Sequence, residues 1–208
     1  TRFANGEVEP CQSWIDLSGF SRENGAAYGV SLLNDGKYSY DANIRDLGLT
    51  VLRSPFYAHH IPYEPQAGSA CAVIDQGKQT FHYTILPHLG SWEHASTVRR
   101  AAELNSRPFA LTGTYHPQGS LPQSDSFASV DARNVILTVL KEAEDGDALV
   151  LRCVEAHGEA GKALICLPHW NRAIEVEFGP CEIKTFRVPR DHNQPVAETD
   201  LLEWEVLK

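Results

Sequence analysis

A short segment after an apolar run combines four kinds of side chain that bind polyols. Residues 28–40 read YGVSLLNDGKYSY, so the amide of Asn34, the carboxylate of Asp35, the ammonium of Lys37 and the phenol of Tyr38 lie within five positions. Sugars are recognised by planar groups and charge-assisted hydrogen bonds beside an aromatic face. The segment therefore predicts a sugar-facing turn. An Asn-Asp-Gly sequence is also typical of an ordinary hairpin turn, because Asp-Gly supplies positive φ angles; both interpretations stay open on these residues.

Burial decides how these turn residues behave. An unpaired polar group taken out of water costs on the order of 1–3 kcal/mol, so a polar turn after an apolar strand faces either water or a ligand. We therefore expect Asn34, Asp35 and Lys37 to be presented to solvent.

Acid–base and nucleophilic catalysis lack a convincing set of residues. Asp16, Asp35 and Glu93 are the candidate carboxylates, but each is more simply explained as a capping or solvated side chain. No G-x-S-x-G sequence occurs, and Cys153 and His157 lie four positions apart in a strand and its turn. We expect no catalytic residue in this chain.

Metal binding and disulfides are also disfavoured. The histidines show neither an H-x-x-x-H pair on a helix nor a zinc-finger spacing with cysteine, which predicts no metal site. The odd number of cysteines, without any C-x-x-C pair, fits reduced thiols in a cytoplasmic protein. These cysteines are Cys11, Cys71, Cys153, Cys166 and Cys181, and the histidines are His59, His60, His82, His88, His94, His116, His157, His169 and His192.

Composition excludes several classes of partner. The 208 residues carry a formal net charge of −9, and their 18 Lys and Arg residues are scattered, which argues against nucleic acid and anionic membrane surfaces. There is no apolar run long enough to span a membrane, and the N-terminal TRFANGEVEP has no secretion-signal pattern. With no initiator Met, the chain is expected to start within a longer protein.

Hydrophobic periodicity predicts a mainly β fold. Apolar and polar residues alternate along eight segments bounded by Gly, Pro, Asn or Asp. These segments are Tyr28–Leu33, Leu47–Leu52, Phe81–Leu86, Val135–Leu140, Ala148–Val154, Ala163–Leu167, Ile174–Phe178 and Ile183–Val188. Pro87 is expected to end its strand and leave His88 in a loop. One helix is predicted over Ser91–Leu104, with Ser91 as its cap.

Domain boundaries follow from composition. Residues 115–126, YHPQGSLPQSDS, have no apolar period and are predicted to be a linker. Residues 1–114 would then be part of a large β-sandwich with the short helix near 91–104, and residues 127–208 a smaller β-sandwich. Within the latter, the Asp-Gly at 145–146 lies between two β-branched runs and predicts a tight hairpin.

Several of these segments, taken in order, resemble a known family. QSWIDLSG from Gln12, YGVSLLNDGKYSYD from Tyr28, LTVLRSP from Leu49, FHYTILPHLGSW from Phe81 and NVILTVLKEAEDGDALVLRCVEAHG from Asn134 are similar to the C-terminal all-β portion of the family 38 glycoside hydrolases, the retaining α-mannosidases of the bacterial and cytosolic type. The resemblance continues through GPCEIKTFRV, residues 179–188, and so covers nearly the whole chain from Gln12.

The resemblance implies a non-catalytic role. In that family the nucleophile, the acid/base and the zinc-type divalent metal belong to an N-terminal domain, which would be the partner of this chain, and the C-terminal sandwich supports that domain and lines its cleft. By this match Asn34, Asp35 and Lys37 would face an α-mannoside, with Tyr38 as a stacking face and His88 as a further donor. This chain has Lys-Tyr-Ser where the family usually has Lys-Tyr-Gly.

Two other functional classes remain open on the sequence. The chain could be a free-standing carbohydrate-binding module in which exposed tryptophans form a sugar platform. The candidates for that platform are Trp14, Trp92, Trp170 and Trp204. It could also be a pure interaction domain.

Overall fold

The chain folds mainly into antiparallel β-sheets, as the alternating pattern predicts. The computed structural model describes residues 6–55, 68, 73–113, 117–144 and 146–204. It divides into two compact units, Thr1–Phe109 and Ala110–Lys208. The sequence expectations for His59, His60, Cys71 and His116 lie outside the described residues.

The first unit contains two three-stranded sheets, with strand orders β1-β4-β5 and β2-β3-β6. The central strand β3 pairs antiparallel with both β2 and β6, so its C-terminal end is fixed from two sides. The strands are β1 (Val8–Pro10), β2 (Trp14–Phe20), β3 (Ala27–Asn34), β4 (Ser39–Ala42), β5 (Leu47–Leu49) and β6 (Tyr83–Leu89).

Strand β6 does not end at Pro87, so the prediction that His88 lies in a loop is wrong. Pro87 pairs with Val30, and His88 pairs with Gly29 in the same ladder. β6 is an edge strand of its sheet, where one side needs no partner and a missing N–H is tolerated. His88 is therefore held at a fixed position in the sheet.

The helix of this unit, α1 (Thr97–Asn105), begins six residues later than predicted. Ser91 does not cap it; its hydroxyl lies 3.1 Å from His94 Nδ1 instead. The residue preceding the helix, Ser96, has left-handed backbone angles (φ 55°) and makes no side-chain cap. Residues 92–96 form turns, so the apolar spacing that suggested a longer helix continues through non-helical backbone.

The second unit is a small β-sandwich of two antiparallel sheets, with orders β11-β10-β7 and β13-β12-β9-β8. Its strands are β7 (Ser129–Val130), β8 (Val135–Glu142), β9 (Ala148–Glu155), β10 (Gly161–Leu167), β11 (Arg172–Phe178), β12 (Ile183–Pro189) and β13 (Ala197–Thr199), with a 3-10 turn at Pro168–Trp170. One core draws on both sheets: Leu151 and Phe186 from one, Ile165 and Phe178 from the other.

The predicted hairpin of the second unit is present. β8 and β9 pair antiparallel from Val135↔Glu155 to Glu142↔Leu149, and Gly146 between them has φ +84°. This positive φ explains why a glycine occupies the turn. Asp145 lies outside the described residues.

Candidate functional site

The side chain of Asn34 stabilises the predicted sugar-facing turn by hydrogen bonds to its backbone. This side chain is fully buried, so the expectation that Asn34 is presented to solvent is wrong. Asn34 Oδ1 accepts hydrogen bonds from the backbone N–H groups of Gly36 (3.1 Å) and Lys37 (2.8 Å), and Nδ2 donates to the Gln12 carbonyl at 2.7 Å. Local backbone groups thus satisfy the amide, which removes the cost of burying it.

Asp35 forms the ion pairs of the turn. Its carboxylate accepts the His82 backbone N–H at 2.8 Å and lies 2.6 Å from His82 Nδ1 and 3.3 Å from an Arg107 nitrogen. The hydrogen bonds from the His82 backbone and then from its ring hold the pKa of Asp35 below its ordinary value of 3.8, and the charge of Arg107 adds to this. Asp35 is therefore an anionic group paired with the residue before β6 and with the segment after α1.

Lys37 and Tyr38 form the outer part of the turn. Lys37 Nζ lies 5.3 Å from the centre of the Phe81 ring, within the range of a cation–π contact. Tyr38 is 68% exposed, so its ring is available to a ligand. Tyr38 is thus exposed where Asn34 is buried, and the sugar-binding roles of Lys37 and Tyr38 stay predictions.

A shallow pocket of about 310 Å³ adjoins the turn. Its lining adds residues that the sequence reasoning missed: Gln12 and Ser13 from the segment before β2, and Asn105 from the last turn of α1. Their separation along the chain hides this proximity. The antiparallel pairing of β2 with β3 places Gln12 and Ser13 beside the end of β3, and a correct prediction of that pairing would have found them. The pocket is polar, with amide, hydroxyl, carboxylate and phenol groups at one place.

His88 lies in a different place from the turn, in a buried polar cluster. Its Nε2 is 2.7 Å from Asp16 Oδ2, and both side chains are at most 6% exposed. Ser31 Oγ donates to the same oxygen at 2.6 Å, Ser18 Oγ donates to Asp16 Oδ1, and Thr97 Oγ1 lies 2.8 Å from Ser31 Oγ. The cluster joins β2, β3, β6 and α1.

The proton positions in this cluster follow from donor counting. A hydroxyl has one hydrogen, so Ser31, which donates to Asp16, must accept from Thr97. Because a carboxylate oxygen accepts hydrogen bonds, Nε2 of His88 is assigned as the donor in its contact with Asp16. His88 Nδ1 is buried and finds no hydrogen-bond partner among the described residues.

This cluster does not have the arrangement of a nucleophilic triad. Ser31 is fully buried and gives its proton to the carboxylate, whereas an activated serine gives it to a histidine base. Asp16 and His88 therefore hold the sheet and helix together.

The tryptophans of the described residues differ in their surroundings. Trp14 and Trp92 pack against each other with ring centres 4.9 Å apart, and Trp170 lies beneath Arg190 at 5.4 Å. Trp204 is the broadly exposed one, at 72%.

Among the described residues, no three His, Cys, Asp or Glu side chains converge as a metal site would require. The resemblance implies a divalent metal in the N-terminal domain. No described helix is long and apolar enough to cross a bilayer.

Sequence comparisons agree with the fold. Residues 134–169 match the profile of the glycosyl hydrolases family 38 C-terminal beta sandwich domain. Alpha-mannosidase G of Dictyostelium discoideum is 33% identical over 89% of this chain and 17% of its own length. Human alpha-mannosidase 2C1 is 36% identical over 70% of this chain and 12% of its own length. The chain thus spans less than a fifth of these relatives.

Structural comparison gives the same assignment of the fold. The crystal structure of an alpha-mannosidase from Enterococcus faecalis V583 superposes with a TM-score of 0.67 at 18% identity, over 88% of this chain and 21% of that one. Fold and comparisons together define a β-sandwich region of the kind found in the C-terminal part of family 38 glycosyl hydrolases. The chain belongs to glycosyl hydrolase family 38, as a C-terminal region of its α-mannosidases.

Proposed function

We propose that this chain is the non-catalytic C-terminal part of a cytoplasmic retaining α-mannosidase, in which it supports an N-terminal catalytic domain and lines the cleft for terminal α-mannosyl residues. The single observation that supports this most is the similarity to α-mannosidases along 89% of the chain. The proposal places the divalent metal and both catalytic carboxylates in the N-terminal domain.

Within this proposal, the turn after β3 is the part of the chain that meets substrate. Tyr38 offers an exposed ring, and Lys37 and Asp35 offer charged groups beside it. Asn34 orders the turn from below, and His88 contributes only through the sheet that carries the turn. A sugar ring would lie against the Tyr38 face, with its hydroxyls toward the polar pocket.

The experiment is kinetic, on the complete α-mannosidase that contains this chain. Tyr38→Ala should lower kcat/KM for an aryl α-mannoside about five- to tenfold, because an aromatic contact is worth about 1 kcal/mol. The melting temperature should hardly change, since Tyr38 is 68% exposed. Tyr28→Ala is the matched control, because Tyr28 is an exposed tyrosine (48%) near the start of β3, at the end of that strand away from the turn. Equal kinetics for both variants and the wild type would refute the cleft role.

The isolated chain provides a second test. It should not hydrolyse an aryl α-mannoside, while the complete enzyme does under the same conditions. Turnover by the purified chain that persists after removal of divalent metal would contradict a non-catalytic role.

A further inference from the structure

Helix α1 holds the end of β3 at two points. At its start, Thr97 bonds Ser31 at 2.8 Å, and at its end Asn105 Nδ2 donates to the Asn34 carbonyl at 3.0 Å. Eight residues of helix span about 12 Å, and three residues of strand span about 10 Å. The two spacings agree, so α1 lies alongside the last residues of β3, directly before the turn.

Asn34 is the residue through which this support reaches the turn. Its backbone N–H donates to the Ser13 carbonyl at 2.9 Å, its carbonyl accepts from Asn105, and its side chain accepts from the turn amides of Gly36 and Lys37. A shift of the Asn34 backbone would therefore move the turn amides with it.

Asn105 is well suited to this contact because a primary amide has two hydrogens. One is donated to Ala101 O at 2.8 Å, one helical turn back, and the other to Asn34 O at 3.0 Å. The bond within the helix fixes the side chain that reaches out to the strand. Serine has one hydrogen and aspartate has none, so neither reproduces both bonds.

We propose that Asn105 is a positioning residue, which sets the conformation of the 34–38 turn by holding the carbonyl of Asn34. The importance of this for substrate rests on the proposed function, whereas its effect on the turn does not. A turn held in this way needs no rearrangement on binding, and this is how a supporting residue improves transition-state contacts.

The first test measures the turn itself. Asn105→Ala removes both donors but places the best helix former at the end of α1, so the helix is not weakened. Amide hydrogen exchange at Gly36 and Lys37, followed by NMR on this chain, should become at least tenfold faster than in the wild type. Asn105→Asp, with similar shape and no donors, should behave in the same way.

Two controls separate positioning from general loss of stability. Glu103→Gln changes a side chain of the same helix that is 58% exposed, and should leave exchange at Gly36 and Lys37 unchanged. Exchange in the β2–β3 ladder away from the turn reports opening of the first unit as a whole and should be the same in all variants. If Asn105→Ala leaves the turn amides as protected as the wild type does, the inference is overturned.

Kinetics of the complete enzyme separate this inference from the proposed function. If exchange accelerates and both Asn105→Ala and Tyr38→Ala lower kcat/KM, both proposals are supported. If exchange accelerates and neither variant alters kcat/KM, Asn105 positions the turn but the turn does not serve the reaction. If only Tyr38→Ala lowers kcat/KM and exchange is unchanged, the cleft role stands and the Asn105 proposal fails.

Discussion

Replacing Glu155 with Gln should destabilise the second unit severely. Glu155 ends β9 and is 1% exposed, yet its carboxylate accepts five hydrogen bonds. The donors are Asn134 Nδ2 and the backbone N–H groups of His157, Gly158, Glu159 and Cys181. The carboxylate thus joins the turn after β9 to the turn before β12.

The magnitude follows from the oxygen that is lost. A Gln amide nitrogen in place of Oε2 would face the backbone donors of Gly158, Glu159 and Cys181. In the flipped orientation, in place of Oε1, it would still face two donors, Asn134 Nδ2 and the His157 N–H. Hydrogen bonds to charged acceptors contribute roughly 1.5–3 kcal/mol each and are not additive, so we expect a loss of about 3–5 kcal/mol. For a unit of about 100 residues this lowers Tm by at least about 12 °C.

The assay is thermal unfolding at neutral pH, monitored by circular dichroism. Glu175→Gln is the matched control, since Glu175 is an exposed carboxylate on β11 of the same unit. If Glu155→Gln melts within about 2 °C of this control, the carboxylate is not a major contributor and the reasoning is wrong.

The pH dependence gives an independent check on Glu155. Burial by itself would raise the pKa of Glu155, but hydrogen bonds, from the Cys181 backbone foremost, hold it below the ordinary value of 4.5. Because the pKa of Glu155 is lower in the folded than in the unfolded protein, ionisation of Glu155 stabilises the fold at pH values above the unfolded-state pKa. This stabilisation is lost as the pH falls through the folded-state pKa. The Tm difference between the wild type and Glu155→Gln should therefore be constant near neutral pH and shrink below about pH 4.5.

Three further outcomes are expected. Gly29→Ala should lower the free energy of unfolding by about 1–3 kcal/mol, because the new Cβ would lie 2.6 Å from the His88 ring. Gly19→Ala is the control, since a Cβ there would meet nothing within 4 Å; equal melting temperatures of these two variants would contradict the prediction. The Asp35 carboxyl should titrate below pH 3.8 by NMR, and a midpoint at or above that value would contradict the pairing. Trp204→Phe should remove most of the acrylamide-accessible fluorescence, since Trp204 is 72% exposed; unchanged quenching would contradict that exposure.

Strand positions were predictable because their signal is local. The alternation of apolar and polar residues located β3, β8 and β9 to within a few residues. The Asp-Gly sequence located the hairpin between β8 and β9. The end of β6 was not predictable, because a proline stops a strand only where a backbone N–H at its position is needed to bond a neighbouring strand. Edge or central position is a property of the assembled sheet.

The turn was locatable from sequence, but its burial was not. Asn34 follows an apolar strand whether it faces solvent or folds back, and the choice depends on the donors of Gly36 and Lys37 and on the Gln12 carbonyl. Asn105 was hidden for a similar reason, since its contact with Asn34 O joins residues 71 positions apart. Residue type therefore indicated which polar and aromatic groups the turn carries, and only the fold distinguished the exposed Tyr38 from the buried Asn34.

The buried cluster around Asp16 has a consequence for sequence divergence. Asp16 is surrounded by donors, so loss of the carboxylate would leave Ser31 and His88 without an acceptor, which costs more than an apolar core would. The His88 ring also lies where a side chain at Gly29 would have to be. Among homologous chains, the residues at positions 16, 29, 31 and 88 should thus be inherited as a set, with substitutions at one accompanied by substitutions at the others.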